Sequence, residues 1–134
     1  MMNRVENPAL GQALVEFVLV LPIVAILLFG LIEIGNAINS YLTIYNASRD
    51  GARLAAERAP VSEVQELVRT LTDRLPGPGP TTTVTYGRDN SGQDMVTVEV
   101  TYAYRFLLFG SVAILRNIVP SPFQLRARTV MPVP

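Results

Sequence analysis

Two carboxylates frame a long apolar run, and their placement limits the chemistry open to this chain. Glu16 stands five residues after Gly11, at the head of the stretch Phe17 to Ile32, and the next charge is Glu33. A charged side chain costs roughly 2.5–3.5 kcal/mol at the centre of a bilayer, so an acid in such a run needs a partner or a purpose. The two acids cannot act as a general acid/base pair, because the helix between them holds them about 25 Å apart. The chain contains no His and no Cys. Their absence removes Ser-His-Asp and Cys-His nucleophiles, disulfides, and imidazole or thiolate zinc sites. Oxygen donors cluster once more, in Gly87-Arg88-Asp89-Asn90-Ser91-Gly92-Gln93-Asp94. That spacing does not fit an EF-hand loop and no Glu closes it, so a solvated hairpin turn is expected rather than a calcium site. No glycine loop suited to phosphate is present. The inventory points away from an enzyme, and no cofactor or metal is expected.

The acids must be positioned by a helix. Ala13 to Ile32 are twenty residues with Glu16 as their one charge, and at about 1.5 Å per residue they reach across a hydrocarbon core of about 30 Å. A removed signal peptide is a poorer reading: the run is long for one, and Glu33-Ile34-Gly35-Asn36-Ala37 leads on into a helical pattern with no A-x-A site. Pro22 lies inside the run. Spanning helices tolerate proline, and here it predicts a kink or a short unwound turn. Arg4 and the α-amine precede the span and Arg49 follows far beyond it, which leans toward a cytoplasmic N-terminus.

The helical period continues past the membrane edge. Leu27, Leu31, Ile34, Ile38, Tyr41, Tyr45, Ser48, Ala52 and Ala55 recur at spacings of three and four, predicting one buried face. Asn36, Asn39, Thr43, Asn46, Arg49, Asp50, Arg53 and Glu57 lie opposite, with Asp50–Arg53 and Arg53–Glu57 spaced for ion pairs. Pro60 ends the pattern. Toward that end the side chains shrink, through Ala47, Ser48, Gly51, Ala52, Ala55 and Ala56, which admits close approach by a sheet or helix of the same chain.

Beyond Pro60, Ser62 and Gln65 are spaced for a capping box, and Val64, Leu67, Val68, Leu71 and Leu75 form one stripe of a short helix. Pro76-Gly77-Pro78-Gly79-Pro80 breaks any regular element. The period then becomes two. Strands are expected at Thr81–Tyr86 and Met95–Tyr104, with Val96, Val98, Val100, Tyr102 and Tyr104 on one face. A third is expected through Phe123, Leu125, Ala127, Thr129 and Met131. The apolar segment 106–115 is too short to span a bilayer. It is either a buried connection or an exposed patch for subunit or shallow membrane contact. The expected fold class is α+β: a long hydrophobic-to-amphipathic helix, a short second helix and a small three-stranded antiparallel sheet packed on them. Eleven basic and eleven acidic groups cancel, which leaves no electrostatic footprint for nucleic acid. Every base is Arg, a trait ascribed to genome composition.

Gly-x-x-x-x-Glu ahead of an apolar helix resembles the processing signal of type IV-like prepilins. The segment Gly11-Gln12-Ala13-Leu14-Val15-Glu16-Phe17-Val18-Leu19-Val20-Leu21-Pro22 resembles the start of TadE-like pilins and pseudopilins of the tight-adherence (Tad, Flp) pilus system. Asn46-Ala47-Ser48-Arg49-Asp50-Gly51-Ala52-Arg53 is similar to a second, alanine-rich motif of that family. The resemblance implies that residues 1–11 are a leader cut by a prepilin peptidase between Gly11 and Gln12. Residues 12–33 become the transmembrane or filament-core part, 34–75 the helix extension and second helix, and 81–134 the β region. It also implies that Glu16, followed by Phe17, is the assembly acid, paired with the new α-amine of a neighbouring subunit. The implied partners are the membrane, the peptidase, other pilin subunits, and the Tad assembly platform with its ATPase. The implied location is the inner membrane before assembly, and an extracellular adhesive pilus or periplasmic pseudopilus after it. The added globular half resembles pseudopilins more than the very short major pilins. The alternative is an uncleaved single-pass protein with a small partner-binding domain outside the membrane.

Overall fold

The apolar run and its extension form a single helix in the computed structural model, which describes residues 8–111, 113, 115–118 and 121–134. Helix α1 covers Pro8–Ala56, 49 residues, a rod of about 73 Å. It stays helical through Pro22, so no turn is unwound there; the proline only lacks the N–H that an interior helical residue donates. α1 stops at Ala56, short of Pro60. Proline disfavours helical backbone in the residue before it. Arg58 takes φ 63, the left-handed conformation common just past a helix end, and donates its N–H to the Ala55 carbonyl at 3.0 Å.

Helix α2, Val61–Leu71, returns alongside α1. The capping box is not formed. α2 begins after Pro60, with no side-chain cap, and Gln65 instead donates to the Thr82 carbonyl on the neighbouring strand at 3.3 Å. Proline next to the first turn presets the backbone there, so a reciprocal cap has less to do. Val64 and Val68 are buried, Leu67 and Leu75 half-buried, and Leu71 is exposed, so the expected stripe seats only its centre. Tyr102 donates its hydroxyl to the Pro76 carbonyl at 2.6 Å, tying the Pro-Gly segment to the sheet.

The sheet follows the alternation in the sequence. β1 (Thr81–Arg88), β2 (Asp94–Tyr104) and β3 (Phe123–Pro132) are antiparallel in the order β1-β2-β3. Central β2 buries Val96, Val98, Val100, Tyr102 and Tyr104 against the helices. Opposite them, Thr97, Glu99 and Thr101 lie on the more open face, where Glu99 meets Arg126 of β3 at 3.6 Å. β3 contributes Ala127, with Leu125 and Met131 packed at the margin of the core, while Phe123 is exposed at its start. The β1–β2 hairpin closes as a solvated turn. Asp89 Oδ1 accepts from the backbone of Ser91 and Gln93 and from the Ser91 hydroxyl, and Arg88 pairs with Asp94 at 2.8 Å.

One expectation about α1 is overturned. The bulky residues Leu27, Leu31, Ile34, Ile38, Tyr41 and Tyr45 are not the face that packs on the sheet; all are exposed. The buried face runs through Glu33, Ser40, Ile44, Ala47, Ser48, Gly51, Ala52 and Ala55, with Ala37 at its edge. Small residues win because the sheet and α2 lie close to the rod. A Cβ on Gly51 would stand 3.0 Å from a Val68 methyl and 3.4 Å from methyls of Val64 and Val98. Ser48 makes a hydroxyl–hydroxyl bond of 2.7 Å with Thr129 across this contact. The expected pairs of Arg53 with Asp50 and Glu57 are also not made. Among the described residues those three side chains take part in no ion pair, as suits exposed charges whose pairing is worth little.

Candidate functional site: the exposed face of the long helix

The globular half grips α1 only from about Gly30 outward. Almost everything before it stands clear, with Leu10, Leu14, Phe17, Leu21, Ile26 and Leu31 among many large apolar side chains at 49–67% exposure. α1 is the one helix among the described residues that is long and apolar enough to cross a membrane. Apolar surface of this extent is unfavourable in water and is matched by lipid or by other apolar helices.

The expected processing and assembly residues all lie on this open part. Gly11, Gln12, Glu16, Phe17 and Pro22 are exposed and within α1. A Cβ on Gly11 would meet nothing within 4 Å. Gln12 and Glu16 are four residues apart and so occupy one face, a helical turn of about 6 Å from each other. An amine created at Gln12 by cleavage would therefore sit within a turn of an acid of its own chain, and equally at the surface where a neighbouring helix would lie. Phe17 and Pro22 lie off that face. The expected cut falls at the end of the first turn of α1.

Glu33 forms a site that sequence reasoning passed over. It is fully buried, at the outer end of the apolar run. Its Oε1 accepts the backbone N–H of Leu107 at 2.5 Å and its Oε2 that of Leu108 at 3.0 Å. The Tyr104 hydroxyl lies 3.3 Å from Oε1 and donates to this acid. Two backbone donors and a phenol thus satisfy the carboxylate without a cation, as a buried charge requires. Burial and the neighbouring carboxylate push the Tyr104 hydroxyl up to about 12. The chain after β2 is thereby pinned on α1, and the Phe109 ring comes to 3.3 Å from where a Cβ on Gly30 would be.

The apolar segment 106–115 is neither wholly buried nor wholly exposed. Phe106 packs against the core and edge-on to Tyr104, at 5.4 Å between ring centroids. Leu108 and Phe109 are half-buried, while Leu107 is 58% exposed. Two short 3-10 turns, Phe109–Ser111 and Leu115–Asn117, rest on each other, and the first touches α1. Residues 112 and 114 lie outside the described residues. A signal for Glu33 was present in the sequence. It opens the series Glu33, Ala37, Ser40, Ile44, Ala47, Gly51 and Ala55, a helical face of small residues that the bulkier stripe beside it obscured.

Residues 11–53 match the model of the TadE-like protein family. No curated protein and no solved structure matches the chain. The matched segment begins at Gly11 and runs through the Asn46–Arg53 motif, so it is α1 itself, both its open apolar part and most of its sheet-bearing part. With the apolar helix, the match gives the protein a membrane association. Over this helix the chain is similar to TadE-like proteins, a likeness that points to association with the Tad pilus system.

Proposed function

We propose that this protein is a structural subunit, a pilin or minor pseudopilin, that is stored in the inner membrane and drawn from it into a Tad-type filament. A prepilin peptidase cuts between Gly11 and Gln12, and the freed amine of Gln12 pairs with Glu16 of a neighbouring subunit. The observation that carries this reading is where the apolar surface of α1 ends. A membrane anchor alone needs apolar residues only as far as Ile32, the end of a span of about 20 residues. Here Ile34, Ile38, Tyr41, Leu42 and Tyr45 carry exposed apolar surface three to four turns farther, on the side of the rod that the sheet leaves bare. That stretch lies where lipid would not reach and suits packing between helices of neighbouring subunits.

Burying Glu16 in such a bundle is tolerable only if it is paired, and one polar pair in an apolar assembly can fix register. Glu16→Ala should leave processing intact while abolishing incorporation. Anti-subunit blots of membranes and of sheared pili test both at once, and normal amounts of the variant in pili would refute the role of the acid. An uncleaved single-pass protein with a partner-binding domain is the competing reading. The intact mass of the membrane-resident protein separates them, since processing removes Met1 to Gly11.

A further inference from the structure

We propose that residues 105–111 and 116–118 form a lipid-contacting foot: they rest on the outer leaflet surface of the membrane that α1 spans and bind anionic phospholipid there. The inference rests on α1 spanning the bilayer. The twenty residues from Ala13 to Ile32, with Glu16 their one charge, fill a hydrocarbon core of about 30 Å, which puts its outer boundary at Ile32 and Glu33. Glu33 holds the backbone of Leu107 and Leu108 at this height. Phe109 lies against Gly30, about 3 Å on the membrane side of Ile32. The segment thus reaches the level at which the apolar surface of α1 begins.

Its composition suits that level. Leu107 and Ile118 are large apolar side chains 58% and 72% exposed, and Ile118 directly follows the turn Leu115–Asn117 that rests on Phe109–Ser111. Arg105 and Arg116 each precede one of them by two residues, both exposed, and neither pairs with an acid among the described residues. Apolar tips beside cations are what an interfacial segment presents, the apolar groups entering the headgroup boundary and the guanidiniums meeting phosphate. The rest of the sheet points away. β2 runs from this end to the Asp89–Gln93 turn, about 33 Å distant along the strand.

The chain has no Cys, so single cysteines can be spin-labelled without background. Leu107→Cys and Ile118→Cys change side chains that are exposed, and Leu107 is held through its backbone. Val20→Cys reports the span and Asn90→Cys the distal turn. The full chain is reconstituted at low protein density in vesicles of phosphatidylethanolamine and phosphatidylglycerol, and label accessibility to oxygen and to a water-soluble nickel chelate is measured. Labels at 107 and 118 should show an oxygen-to-nickel ratio several-fold above that at 90 and below that at 20. Replacing phosphatidylglycerol by phosphatidylcholine, or introducing Arg105→Gln with Arg116→Gln, should lower the ratio at 107 and 118 but not at 20. Labels at 107 and 118 as aqueous as that at 90, with 20 in hydrocarbon, would overturn the foot alone. An aqueous label at 20 would overturn the spanning reading beneath it. Shielding at 107 and 118 that appears only at high protein density would mean contact with a second copy, and would also overturn the proposal.

Discussion

Glu33 shows how one side chain can organise two distant parts of a chain. Its oxygens close the backbone N–H groups of Leu107 and Leu108, 74 and 75 residues away, and leave no buried polar side-chain atom unpartnered among the described residues. Glu33→Gln keeps the size but turns an amide NH₂ toward one of those donors. The expected cost is about 1–3 kcal/mol, localised to the segment. It should appear as faster hydrogen exchange at Leu107 and Leu108 while amides in the middle of β2 stay protected. Tyr104 adds a pH dependence. Its hydroxyl, ordinarily at 10, is held up to about 12 by burial and by Glu33. The unfolded phenol therefore loses its proton first. The stabilisation is full below pH 10 and is lost as pH rises through about 12. Tyr104→Phe should remove a component centred near that upper value from the alkaline tyrosinate absorbance titration, and should make stability less sensitive to pH in that window.

At the scale of elements, the packing turns on how closely α2 and the sheet approach α1. Gly51 faces Val64, Val68 and Val98, all fully buried β-branched side chains with little freedom to yield. Gly51→Leu should destabilise the fold by about 3 kcal/mol or more through overpacking, outweighing the gain of about 1 kcal/mol in helix propensity. Denaturant unfolding followed by circular dichroism would measure it. The strands were legible before the structure because a period of two with a valine or tyrosine on every inward position of β2 admits one face only. The rod was legible too, in its length and its breaker at Pro60. Which side of the rod would be buried was legible only from Ser48 outward, where Ala52 and Ala55 of the expected face are buried too. Periodicity reports that apolar residues share a face but not what covers them, and on α1 the large face and the small face are adjacent. Fixed φ at Pro60 likewise displaced a capping pattern that Ser62 and Gln65 spell correctly. In the candidate site, the exposed positions Gly11, Gln12 and Glu16 were singled out by spacing and resemblance, whereas Glu33 depends on contacts across more than seventy residues.

The whole molecule is a rod with its domain mounted on the outer end and to one side. The bare side carries Ile34, Ile38, Tyr41 and Tyr45, with the Tyr41 and Tyr45 rings stacked at 6.3 Å. Ile38→Glu with Tyr41→Glu places charge there without touching the core, so the domain should unfold at an unchanged denaturant midpoint. Recovery of the variant in sheared pili should fall at least as far as for Glu16→Ala if this face packs between subunits. Because α1 is helical without interruption from Pro8 to Ala56, Glu16 and the sheet-bearing face hold a fixed angle as well as a fixed distance. Each residue turns the rod by about 100°. If Glu16 orients one subunit against the next, as proposed, it also sets the compass bearing on which every globular half faces outward. The outer surface of an assembly built from this chain is in that sense laid out from its axis.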